Sequence, residues 1–219
     1  MDIQTEDWGM VPIKNALEEQ DVYWERRVRG EIPDTIIFTE HEPVYTAGAR
    51  LKIQPQLLES CFKVDISKLL CPAVIIDRGG LVTYQGPGIL SVYCVFRLGG
   101  ATIRNFENFL LEAAEALLNF YGIKTVQRCG NPGLYIGIDR KIVSVGLKIS
   151  RGITRYGITV SLDPDFLYLD PLIPCGLTNV RLTSLARETG REKFSECEKD
   201  AIKIILSAEI ARRWLELSK

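Results

Sequence analysis

GLYIGIDRKIVSVGLKI, residues 133–149, decides the fold class. Two apolar, β-branched runs, GLYIGI and KIVSVGLKI, flank Asp139-Arg140, and that pattern predicts a hairpin. YGITVSL, 156–162, predicts a further strand soon after. Upstream, TIIFTE at 35–40, AVIID at 73–77 and LSVYCVFRL at 90–98 read as strands. The second ends in a glycine-rich turn and the third reads as buried. Strands that sit in hairpins, and not in alternating βαβ units, place the chain in the α+β class. The expected architecture is a mixed, mostly antiparallel sheet with flanking helices.

The helices are fewer. PIKNALEEQDVYWERRVR, 12–29, predicts a helix closed by Gly30. In RNFENFLLEAAEALLNFY, 104–121, Phe106, Phe109, Leu110, Ala113, Leu117 and Phe120 recur at helical spacing, and Gly122 supplies a stop. Ser195 and Glu198 form a capping box for a last helix that runs to about residue 217. The pattern predicts one domain over 1–219, with the helix at about 195–217 a candidate small appendage.

A length of 219 residues suits one large domain or two small ones. A net charge of −1 gives no reason to expect bulk binding to nucleic acid or to an anionic membrane. No apolar run is long enough to span a bilayer. The start, MDIQTEDWGM, is acidic and lacks a basic stretch followed by an apolar one, so a cytoplasmic protein is expected. The cysteines at 61, 71, 94, 129, 175 and 197 are scattered without metal-like spacing, so no metal site is expected. They read first as reduced thiols and mostly as small hydrophobes, Cys94 within a buried strand.

His41 is the only histidine, in EHEPVYTAGAR, 40–50. Any Cys-His or Ser-His nucleophile pair must use it. Taken alone it reads as a surface or half-buried histidine at a strand end. Without it, an activated cysteine needs another partner, and lysine is the natural candidate.

Three stretches could carry chemistry. In PLIPCGL, 171–177, Cys175 sits between Pro174 and Gly176. Proline fixes one dihedral and glycine frees another, which suits either a presented nucleophile or an ordinary turn. RGGLVTYQGPG, 78–88, brackets a short apolar segment with glycines. It reads equally as a loop whose amides face a ligand or as two tight turns around a strand. It has neither the Walker A lysine nor a GxGxxG pattern. Lys141 opens a β-branched strand. It is either a solvated strand end or, pointing inward, a cation that favours a thiolate and shuttles a proton. Lys148 reads in the same way.

Together, RGGLVTYQGPG, PGLYIGIDRKIVSVGLKISRGITRYGITVSLD and PLIPCG resemble, in order and spacing, the octanoyltransferases of lipoate biosynthesis. EHEPVYTAGAR resembles the EHPPVYTLGR segment of that family, and the likeness runs over about residues 8–185. The resemblance implies a fold like the catalytic module of biotin and lipoate protein ligases. It implies transfer of an octanoyl group from octanoyl acyl carrier protein to a lysine of a lipoyl domain, through an acyl-cysteine thioester and with no cofactor. The implied acceptors are the lipoyl domains of 2-oxoacid dehydrogenase complexes and the glycine cleavage H protein.

By the same resemblance Cys175 is the nucleophile and Lys141 its dyad partner. The substrate loop is Arg78, Gly79, Gly80, Leu81, Val82, Thr83, Tyr84 and Gln85. Further pocket segments are Ser144-Val145-Gly146 and Gly157-Ile158-Thr159, and His41 is kept as a candidate. The chain departs from the family in two of these segments with consequences for the site. VTYQGPGI has Gln85 and Ile89 where VTYHGPGQ is usual, and YGITVSL has Tyr156 and Ser161 where histidine and asparagine are usual. Gln85 and Tyr156 can hydrogen-bond but do not titrate near neutral pH. Two other readings stand beside the transferase: an ATP-dependent lipoate or octanoate ligase of the same fold, and a non-catalytic relative that binds acyl chains or carrier proteins.

Overall fold

A computed structural model describes residues 2–217; the side chain of Cys175 lies outside the described residues. In chain order the first half contains β1 (Ile3–Val11), α1 (Ile13–Arg29), β2 (Asp34–His41), β3 (Val44–Ala47), α2 (Arg50–Ile53), β4 (Ala73–Ile75), β5 (Val82–Gln85) and β6 (Ile89–Val95). The second half contains α3 (Ile103–Phe120), β7 (Val126–Gln127), β8 (Gly133–Ile136), β9 (Arg140–Ser150), β10 (Ile153–Ser161), α4 (Phe166–Leu169), β11 (Arg181–Leu182), α5 (Leu185–Thr189) and α6 (Glu196–Leu217).

The large sheet runs β1-β2-β6-β10-β9-β8-β7, with β11 added on β9. Among the described residues, only the pairs β1–β2 and β11–β9 are parallel in it. The small sheet runs β4-β3-β5. The expected hairpin is present as β8–β9, and the α+β class with a mostly antiparallel sheet holds.

Alternation along the central strands divides the large sheet into two faces. Ile36, Phe38, Val92 and Cys94 point into one cluster with α3 and α6. Ile37, Tyr93 and Val95 point into another, with Ala16 of α1. The helix ends follow the expected chemistry. Gly30 and Gly122 both take left-handed φ, +76° and +74°, where a side chain would be strained. The Ser195 hydroxyl accepts from the Glu198 amide, and the Glu198 carboxylate accepts from the Ser195 amide at 2.8 Å.

Two expectations change. Helix α6 is not a small appendage: Ile202, Leu206, Ile210 and Trp214 are buried in the same cluster as α3 and the central strands. Their four-residue spacing makes one continuous stripe against α3. Residues 3–11 of the acidic start form β1, paired in parallel with β2. The strand at 73–77 stops at Ile75, which leaves Asp77 and Arg78 in the following turn.

Candidate active site

The site lies where the small sheet meets the β9–β10 face of the large one. Arg78 joins them. Its guanidinium is buried and donates to the carbonyl oxygens of Gly79 (2.8 Å), Leu81 (3.1 Å) and Thr46 (2.5 Å), and to the Thr46 hydroxyl (2.9 Å). A charged planar fork is thus spent on two carbonyls of the 79–81 turn and one of β3, which ties that turn to the small sheet. The Gly79 amide reaches across to the Leu147 carbonyl of β9 at 3.0 Å. Gly48 makes this closure possible, since a Cβ there would stand 1.9 Å from the Gly80 carbonyl oxygen.

Beneath the loop is a cavity of about 220 Å³. Arg78, Gly80, Leu81, Val82 and Thr83 line it from the loop, and Lys141, Ser144 and Val145 from β9. Leu172 and Pro174 line the same cavity, so the turn that carries Cys175 borders it. That turn is a 3₁₀ turn over Pro174–Gly176. Proline starts it, the Gly176 amide donates to the Ile173 carbonyl at 3.1 Å, and Gly176 has φ +71°. The Ile173 amide ties the turn to the Cys61 carbonyl at 2.8 Å.

Lys141 points inward and is only 3% exposed. Its ammonium donates to the Pro132 carbonyl at 2.9 Å and stands 5.3 Å from the centre of the Tyr135 ring. A carbonyl and an aromatic face are what a desolvated ammonium needs. Gly133 leaves room for the side chain: a Cβ there would stand 2.6 Å from Lys141 Cε. Lys148, by contrast, is paired with Asp77.

Deeper, a small extension of about 30 Å³ shares Arg78, Thr83, Ser144 and Val145 with the main cavity. It is lined further by Gln85, Gly146, Gly157, Ile158 and Thr159. Gly157 keeps β10 close to β6, since a Cβ would meet the Val92 carbonyl oxygen at 2.1 Å. The Gln85 side chain accepts from the Ser91 hydroxyl at 2.8 Å. Tyr84 belongs mostly to the small sheet's core but also borders a pocket of about 20 Å³ beside Lys141. Gly79 borders none of these cavities and acts through its bonds to Leu147 and Arg78. Sequence reasoning passed over Thr46 and Tyr93, which line the deeper space. Thr46 lies in the quoted EHEPVYTAGAR stretch, whereas Tyr93 carries no local signal, because its side depends on the register of β6.

His41 is not at the surface, nor half-buried; it is fully buried. Nδ1 stands 2.9 Å from the Val11 carbonyl and Nε2 stands 2.6 Å from the Tyr93 hydroxyl. A carbonyl can only accept, so Nδ1 carries the proton and Nε2 accepts from Tyr93. His41 therefore orients a tyrosine of the deeper space and does not itself line it. Burial pushes its pKa down. The unfolded chain takes a proton on this histidine at about pH 6.5, and the folded chain only below that. Stability from His41 is therefore present above that pH and lost as pH falls through it. Tm should drop between about pH 7.5 and about pH 5.5, and a His41→Gln variant should show a smaller drop. An equal drop in the variant would assign the acid sensitivity elsewhere.

The other thiols stay outside this geometry. Cys61 and Cys94 are buried, burial raises the Cys94 pKa, and it pushes Cys71 up to about 11. Cys129 and Cys197 are exposed. No helix among the described residues is long and apolar enough to cross a membrane.

The family described as lipoyl protein ligase A/B catalytic domain matches residues 12–205. The octanoyltransferase of Magnetococcus marinus is 36% identical over 163 residues, 72% of this chain and 70% of that protein. The mitochondrial octanoyltransferase LIP2 of Arabidopsis thaliana is 33% identical over 186 residues, 83% of this chain and 77% of that protein. Among solved structures, protein Ta0514 of T. acidophilum, a lipoate protein ligase by its description, superposes with a TM-score of 0.69 at 13% identity. The match covers 98% of this chain and 86% of that one. The biotin protein ligase of Aquifex aeolicus reaches 0.53 at 14% identity, over 99% and 70%. At such identities these two likenesses concern the fold alone.

Proposed function

The chain belongs to the lipoyl protein ligase A/B catalytic domain family and is an octanoyltransferase of lipoate biosynthesis, and from that premise we propose that it works through an acyl-Cys175 thioester assisted by Lys141. The observation that carries this reading is a single cavity bordered by buried Lys141 and by the turn that holds Cys175. The proposed donor is octanoyl acyl carrier protein. The proposed acceptors are lysines of lipoyl domains, in 2-oxoacid dehydrogenase complexes and the glycine cleavage H protein.

The reaction balances with these two residues. The Cys175 thiol passes its proton to Lys141, and the thiolate attacks the donor's thioester carbonyl. The carrier's thiolate leaves and takes the proton back from the Lys141 ammonium. In the second half, the incoming lysine amine attacks the Cys175 thioester and gives its proton to unprotonated Lys141. The new amide forms, the Cys175 thiolate leaves, and the ammonium reprotonates it. Each half is general acid–base catalysis around an activated cysteine. Exchange of one thioester for another is nearly isoenergetic, so ATP is not required. The loop residues 78–85 and the segments 144–146 and 157–159 would hold the acyl chain, at about 0.8 kcal/mol per buried methylene.

Incubation with octanoyl acyl carrier protein, without ATP, should add one octanoyl group to the intact mass. Hydroxylamine should remove it, and Cys175→Ala should not acquire it. No adduct without ATP, but acyl transfer with ATP and free octanoate, would replace the transferase by a ligase. No acylation under either condition would favour a protein that only binds.

A further inference from the structure

We propose that Tyr156 is the end wall of the acyl cavity and sets the longest acyl chain the enzyme accepts. This rests on the reading that the cavity beside Lys141 takes an acyl chain. Shared walls put the spaces in order. The cavity of about 220 Å³ meets Lys141; the extension of about 30 Å³ shares four residues with it and does not touch Lys141. Ile76 and Tyr156 are among the residues that line the extension. Both residues also wall a third space of about 230 Å³, bounded by Leu17, Gln20, Asp77 and Arg155. One tyrosine ring and one isoleucine therefore separate the deeper acyl space from an outer, polar cavity.

The ring is held, not merely present. Its hydroxyl donates to Asp77, which also pairs with Lys148 and with Arg155. Burial pushes the Asp77 carboxyl up, but the bonds from Lys148 and Tyr156 outweigh it and keep the pKa low, so the clamp is charged. On the inner side the ring packs edge-on against Tyr93, 6.2 Å and 89° apart. Tyr156 also has φ +61°, which is strained for an aromatic residue. Its amide donates to the buried Gln20 side chain at 2.7 Å, and Gln20 Nε2 has no partner among the described residues. Backbone strain held by a charged clamp places a bulky ring where the chain's methyl end would arrive. A longer chain must displace it.

The test loads the full protein from carrier proteins bearing acyl chains of eight, ten and twelve carbons and reads intact mass. Tyr156→Gly removes the ring and suits the positive φ; Ile76→Ala thins the other shared wall. Each should raise loading with the twelve-carbon chain relative to octanoyl by roughly tenfold or more, as two to four additional methylenes find space. A wild-type profile in Tyr156→Gly, with octanoyl loading intact, overturns the end wall. Should that variant not fold, the profile of Ile76→Ala decides alone. A wild-type protein that loads no chain would sink the thioester reading instead. Thermal shift with free octanoate and dodecanoate then decides the wall, which fails if the variants show no new preference for the longer acid.

Discussion

Lys141→Met is expected to lower octanoyl transfer by about 100- to 10,000-fold, the usual worth of a positioned acid–base group. Methionine keeps an unbranched side chain in the slot against Gly133 and Tyr135 but carries no proton. The fold should survive, because the stem of Lys141 packs while its ammonium meets the Pro132 carbonyl and borders the cavity. Both half-reactions should suffer. Acyl-enzyme should form slowly at neutral pH and faster as pH approaches the ordinary thiol range of about 8.5, where hydroxide can replace the lysine's contribution to the thiolate. The wild-type enzyme should not need that rise. Stopped single-turnover loading of Cys175 as a function of pH checks this. Equal rates for wild type and variant at neutral pH would remove Lys141 from the chemistry.

Trp214→Ala should cost about 3–5 kcal/mol of stability, with a fall in Tm on the order of 10 °C. Trp214 is 2% exposed and packs edge-on against Phe96 and Phe106, at 5.1 and 5.5 Å, with Phe109 also at 5.5 Å. Its indole N–H donates to Asp34 Oδ2 at 2.9 Å, while Asp34 Oδ1 accepts from Arg27 and from the Arg97 amide. Truncation therefore empties an aromatic cluster that joins the residue after β6 to α3 and α6. Trp214→Phe keeps most of the cluster and loses the bond to buried Asp34, at a cost of about 1.5–3 kcal/mol plus some packing. Thermal unfolding of the two variants separates packing from hydrogen bonding. A small effect of the alanine variant would mean that α6 is peripheral after all.

Tyr156 and His41 illustrate how a departure or a lone residue in the sequence acquires meaning only from its neighbours. Tyr156 stands where the related family usually has histidine. Its hydroxyl meets Asp77, 79 positions away, and no local pattern predicts that pairing. His41 looks like a strand-end histidine, and it is one. Whether such a ring faces water depends on β1, which pairs on the outside of β2 and brings the Val11 carbonyl to it.

What the sequence by itself determined is local chemistry and periodicity. The β8–β9 hairpin, the capped helices α3 and α6, and the order of the four motifs follow from residue spacing, turn residues and caps, whose physics acts over a few positions. The tertiary structure decided the rest. β1, IQTEDWGMV, has no regular apolar–polar alternation and becomes a strand because β2 offers an open backbone edge. The inward aim of Lys141 depends on β8, β9 and β11 pairing around it. The α6 stripe is legible as a helix face, but α3 supplies the surface that buries it. Cavities, too, are spaces left between distant segments after hydrogen-bonded strands and packed side chains have met. Their depth and end wall are set by long-range contacts, which residue order constrains only through the complete fold.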